Sequence, residues 1–131
     1  MSKKVAIIAS NKDAFNAYKV FNIANAAAAT EMEVSIFFTF EGLNLIHKQG
    51  IKNIAIPKGM EQLEEGFKKA NVPSIEELAV MAQEMGVTFI ACQMTMDVMG
   101  IEKEQLMDDI HIGGAVTFLE FAKNADITLS F

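Results

Sequence analysis

Apolar residues run along this chain in two alternating patterns. Short, nearly continuous stretches read as strands buried on both faces, and longer stretches with three-to-four-residue spacing read as helices. Residues 4–9, from Lys4 to Ala9, are the first of the short kind. Ser10, Asn11 and Asp13 then offer N-cap oxygens. A helix is predicted over residues 13–30, with Phe15, Tyr18, Phe21, Ala24 and Ala28 on one face and an alanine run adding propensity. Residues 33–39 form a second strand, rich in β-formers. A short helix follows through Leu43, Leu45 and Ile46, and residues 51–56 give a third strand closed by Pro57, Lys58 and Gly59.

Beyond Gly59 the pattern turns charged, with a weakly amphipathic helix around residues 63–69. Ser74 with Glu77 three residues later is a capping box. The helix it opens places Leu78, Met81, Ala82 and Met85 on one face and stops at Gly86. Residues 87–91 form a fourth strand that delivers Cys92. Helical turns over residues 94–99 and 102–107, a helix over 114–123 and a last strand over 126–131 complete the chain. Strands alternating with helices, without repeat or linker, predict an α/β fold: a three-layer α/β/α sandwich around a five-stranded, mostly parallel sheet, one domain over residues 1–131.

Composition narrows the function. The net charge of −6 disfavours nucleic acid, whose binding needs a basic face. The longest apolar stretches are interrupted by Glu, Asn or Lys, so no membrane span is expected. The start of the chain lacks a signal peptide's apolar core, and the single cysteine suits a reducing compartment; the expected location is cytoplasmic.

Cys92 leads the chemistry. It ends an apolar strand where a helix begins, a place where backbone N–H groups and the helix dipole favour thiolate. The opposing reading is a small buried hydrophobe. An accessible thiol that ionises near neutrality is the expectation the functional reading requires. Gln93 and Thr95 follow directly as pocket candidates, and Thr39 stands at the end of the second strand. His111 is a candidate acid/base partner; Gly113 and Gly114 allow close backbone approach and offer N–H groups to an anionic sulfur. Asp97 disfavours thiolate if close, and its expected role is to complement the dipole in the first helical turn. Glu41 is read as a solvated residue or helix cap. No Asn or Asp completes a Cys-His triad. Met94, Met96 and Met99 with a thiolate make a soft donor set for Cu(I), yet methionines at helical spacing are commonly an apolar wall, and no metal is expected. No cofactor is expected either: residues 9–14 lack Gly-x-Gly-x-x-Gly, and no phosphate-binding Gly-x-x-x-x-Gly-Lys-Ser/Thr loop occurs.

The stretches at residues 91–101, 106–115 and 125–131, with the capped helix from Ser74 and the approach through Gly86 and Val87, closely resemble the DsrE/DsrF/DsrH-like family. The resemblance implies a five-stranded parallel sandwich, a homo-oligomer (trimer or hexamer), and sulfur-carrier or sulfurtransferase chemistry at the matching cysteine, Cys92. It also implies TusA-like or rhodanese-like donor and acceptor partners. The chain departs from the family in two ways. Residues 57–71 are a shortened version of a longer Met- and Gly-rich segment, and Gly100 stands where some relatives have a second cysteine. A resolving intramolecular disulfide is thereby impossible, which counts against a dithiol redox cycle, whereas a persulfide or thiosulfonate on Cys92 stays feasible. Two alternatives stand beside this reading: a non-catalytic oligomeric module with an inert cysteine, and a nucleotide or other small-molecule binder at the strand-end crevice.

Overall fold

In the computed structural model, which describes residues 2–131, five strands form one parallel sheet: β1 (Lys4–Ala9), β2 (Glu33–Phe38), β3 (Thr88–Cys92), β4 (Ile110–Gly113) and β5 (Ile127–Ser130). The order across it is β4-β3-β2-β1-β5. Five helices surround it: α1 (Ala14–Ala29), α2 (Leu63–Lys69), α3 (Ile75–Glu84), α4 (Gln93–Met99) and α5 (Ala115–Ala122). Asp13 caps α1 by accepting the Asn16 N–H, and Ser74 and Glu77 make both arms of the expected capping box on α3.

Alternation along the strands separates two cores. Val5, Ile7, Val34, Ile36, Phe38, Phe89 and Ala91 face α1 and α3. Ala6, Phe37, Ile90 and Cys92 face the other way, against Phe118 of α5. Phe37 and Phe118 stack there with ring centroids 5.2 Å apart. The first core is much the larger.

Three sequence expectations are corrected. Residues 51–56 are not a strand. The His47 Nδ1 accepts the N–H groups of Gln49 and Gly50, and Asn53 bonds back to the Gln49 carbonyl. These local bonds close a 3₁₀ turn over Gly50–Asn53 in place of a ladder. The fifth strand is instead β4, hidden in the sequence by its length of four residues and its flanking Asp109 and Gly114. On α3, Met81 and Met85 are exposed, and Ile75, Leu78, Ala79 and Ala82 face inward. On α1 the inward face is correspondingly small, with Ala14, Ala17, Ala24 and Ala27 beside Val20 and Phe21, while Phe15 and Tyr18 are half-buried. Alanines on both helices allow their close approach.

Candidate functional site around Cys92

The chain steps across the sheet from β1 to β4, then returns beyond β1 for β5. The connection after β3 therefore lies with the α1 and α3 face, where Met96 of α4 joins the larger core, whereas α5 crosses on the opposite face. The carboxyl ends of β3 and β4 flank this change of side, the position where open α/β sheets bind ligands. Cys92 is the last residue of β3, and its register partner on β4 is Gly113.

Cys92 is also the N-cap residue of α4, which makes Thr95 the third residue of that helix. Its sulfur makes no conventional capping bond. Burial pushes the thiol up. Against it, hydrogen bonding from Thr95, the Thr39 hydroxyl and the Met94 N–H favours the charged form. The net result is a pKa below the ordinary thiol value. Thr95 is fully buried. Its Oγ1 accepts the Phe40 N–H at 3.0 Å and lies 3.4 Å from the Thr39 Oγ1. Two chain segments fifty-five residues apart thus meet over one sulfur.

Thr39 and Thr95 are accordingly brought together. Gln93 is not: its Nε2 donates to the Asp97 Oδ1 at 2.9 Å and both side chains are exposed. Asp97 itself lies beyond the first turn of α4, so it does not complement the dipole there. Glu41 pairs with Lys12 at 3.5 Å in solvent. His111 is exposed and opposite Ile90, two residues back along the neighbouring strand, and is not among the groups acting on the sulfur. Gly113 is required by packing, since a Cβ there would lie 2.6 Å from the Thr117 Oγ1. Gly114 caps α5 without a side chain, so its first-turn N–H groups have no side-chain capping partner. Met96 is buried in the larger core while Met94 and Met99 are exposed, so the three thioethers do not converge on Cys92.

Cys92 is less accessible than expected. The residue is 4% exposed, because its side chain turns inward onto Phe118 and not outward along the strand axis. Sequence reasoning missed Phe40. It occupies the left-handed region at φ 50°, rare for a bulky residue, and 52% of its surface is exposed. Nothing in the sequence signals that conformation. The next residues explain where the corner sits: a Cβ on Gly42 would fall 1.9 Å from the Ala9 carbonyl oxygen, so only glycine lets this turn close over β1.

A cavity of about 630 Å³ lies elsewhere, between α1, α2 and α3, where Tyr18 stacks on Phe67. The cleft beside α4 is smaller, about 370 Å³, and carries Asp97 and Glu102 against a single Lys103. That balance does not suit a phosphate-bearing ligand.

A sequence profile described as the DsrE/DsrF/DrsH-like family matches residues 1–63 and 57–130. The chain belongs to this family. It is 36% identical over 154 aligned positions to the sulfur carrier protein DsrE2 of Allochromatium vinosum, covering 97% of each chain. It is 31% identical to the uncharacterized protein YrkE of Bacillus subtilis, covering 98% of this chain and 96% of that one. Among solved structures it resembles the ychN protein from E. coli (TM-score 0.66, 18% identity, all of both chains). It also resembles MTH1491 from Methanobacterium thermoautotrophicum (TM-score 0.64, 13% identity, 99% of this chain and 100% of that one). These likenesses establish the five-stranded α/β fold. The two profile stretches meet at residues 57–63, within the segment expected to be shortened.

Proposed function

We propose that this protein carries sulfane sulfur on Cys92, as a persulfide or thiosulfonate, and passes it to a partner thiol. The observation that carries the reading is the placement of that thiol: Cys92 ends β3, stands at the N-cap of α4, and shares the strand end with Thr39 and buried Thr95, whose hydroxyl oxygens lie 3.4 Å apart. Cys92 is the nucleophile. Its thiolate attacks the outer sulfur of a donor persulfide, forming an S–S bond as the donor's own S–S bond breaks and the donor leaves as thiolate. From tetrathionate the same attack leaves a thiosulfonate on Cys92 and releases thiosulfate. Hand-off repeats the exchange, with the acceptor thiolate attacking the carried sulfur and Cys92 leaving. A low leaving-group pKa speeds this second step. The first-turn N–H groups of α5 after Gly113 and Gly114 are the nearest uncapped donors for the transferred group. With one cysteine in the chain, the cycle is single-thiol.

The reading extends to assembly and partners. α5 is apolar on both sides: Phe118 faces the sheet, yet Val116 and Leu119 are 74% and 57% exposed. Apolar side chains beyond the stripe that packs on a helix's own sheet call for further burial. A second copy covering it, in a trimer or hexamer, supplies that burial. Sulfur donors and acceptors are TusA-like or rhodanese-like proteins, and the site of action is the cytoplasm. Among the described residues no helix is long and apolar enough to cross a membrane.

The burial of Cys92 favours one other reading, an assembly module whose thiol is inert. Incubation with polysulfide or tetrathionate, followed by intact-mass measurement, separates the two. The carrier gains a sulfur adduct in its native state, and Cys92→Ser gains none. The inert module reacts only after denaturation.

A further inference from the structure

We propose that the cavity between α1, α2 and α3 binds a small organic cation with an apolar body, of the class of a primary alkylamine. Three of its sides are fixed. Tyr18 of α1, Ile75 of α3 and the segment through Ile54 and Ile56 line it, and the Ala14 N–H donates to the Ala55 carbonyl at 3.1 Å, tying that segment to the start of α1. The fourth side is α2, which covers the hollow without filling it. No residue of α2 is buried. Phe67 stacks on Tyr18 with ring centroids 4.8 Å apart, and turns at Gly59 and Asn71, both at positive φ, bound the covering segment. The volume left beneath it, about 630 Å³, falls inside the range of small-molecule sites.

The lining sets the ligand's chemistry. Isoleucines and the Tyr18–Phe67 pair make the walls apolar, whereas the exposed charges around them are Glu61, Glu64 and Glu77 against Lys68 alone. Among the described residues none of these four charges takes part in an ion pair. One oxygen of Glu61 accepts the Gly59 N–H and one oxygen of Glu77 accepts the Ser74 N–H, which leaves the second oxygen of each for a ligand. An anion is repelled by such a rim, and a neutral apolar molecule leaves it unused. An ammonium group meets the carboxylates and the aromatic rings while its hydrocarbon chain fills the hollow. None of these residues belongs to the Cys92 site, so the inference does not depend on the proposed sulfur chemistry.

The chain has one tyrosine and no tryptophan, so its intrinsic emission reads Tyr18, inside the cavity. Hexylamine, hexanol and hexanoate, which share a hydrocarbon chain and differ in charge, are titrated into the native protein at neutral pH, with thermal unfolding followed in parallel. Hexylamine should change Tyr18 emission saturably and raise the unfolding midpoint, because an occupied cavity gives α2 the packing it lacks. Hexanol should bind roughly tenfold more weakly, and hexanoate should give no saturable response. Glu61→Gln combined with Glu64→Gln changes two exposed residues, and circular dichroism should show the fold intact. This double variant should bind hexylamine roughly tenfold more weakly and hexanol as the parent does. The proposal is overturned if hexylamine leaves Tyr18 unchanged, if it changes the emission without raising the unfolding midpoint, if hexanol or hexanoate matches it, or if the double variant binds it as tightly as the parent.

Discussion

At the scale of single residues, the account depends on a contest at one sulfur. Burial against Phe118 opposes charge on Cys92, and four donors from two chain segments outweigh it. The sign of the consequence follows from linkage. A thiol whose folded pKa is lowered stabilises the fold above the unfolded value, and that contribution is lost as pH falls through the folded value. Comparing thermal melts of the parent and Cys92→Ser from about pH 6 to about pH 9, a range bracketing an ordinary thiol near 8.5, should show the parent gaining relative stability as pH rises. A difference that is flat or falls with pH contradicts the donor shell. Cys92, Thr95 and Thr39 were legible beforehand because strand ends and helix starts can be read from pattern. Phe40 was not, because a positive φ on a phenylalanine is imposed by a neighbour's backbone, here Gly42 against Ala9. The accessibility of the thiol was not legible either, since the face onto which a strand's last side chain turns depends on register with its neighbours.

Among the elements, those with local signals were the easiest to predict. The capping box of α3 is present with both hydrogen bonds. Ser74→Ala removes one arm and should cost about 1 kcal/mol in chemical denaturation, whereas a change below a few tenths would mean the box carries little. The elements that failed prediction are those decided by partners. Ile51, Ile54 and Ile56 have a strand's composition, but the His47 imidazole takes two N–H groups that a ladder needs, and Ile51 is buried from a turn. Conversely, β4 has four residues and a glycine end, too little to outweigh the turn residues around it, and exists because β3 offers an edge. The error was consequential for the site. His111 and Gly113 lie in β4 and not in a loop, which fixes His111 two residues back from the level of Cys92 and makes Gly113 the register partner of Cys92.

For the whole molecule, the fold class was legible because alternation of continuous apolar strands with helices admits few architectures. The proposed assembly rests on what the chain leaves uncovered. One face of the sheet carries α1 and α3, and the other carries α5 alone, with Val116 and Leu119 turned to solvent. Leu119→Glu should convert an oligomer to smaller species by light scattering without lowering helix content. A parent that is already monomeric at micromolar concentration would remove the need for a second copy. Because Cys92 packs against α5, loss of assembly should also alter sulfur loading.

The most direct test of the central claim follows the sulfur itself. Native protein is loaded with polysulfide, freed of excess donor, mixed with glutathione, and both partners are followed by mass. The account predicts that one sulfur atom leaves Cys92 and appears as glutathione persulfide, with Cys92→Ser carrying none. A native protein that stays unmodified, and takes up sulfur only after unfolding in urea, would contradict it.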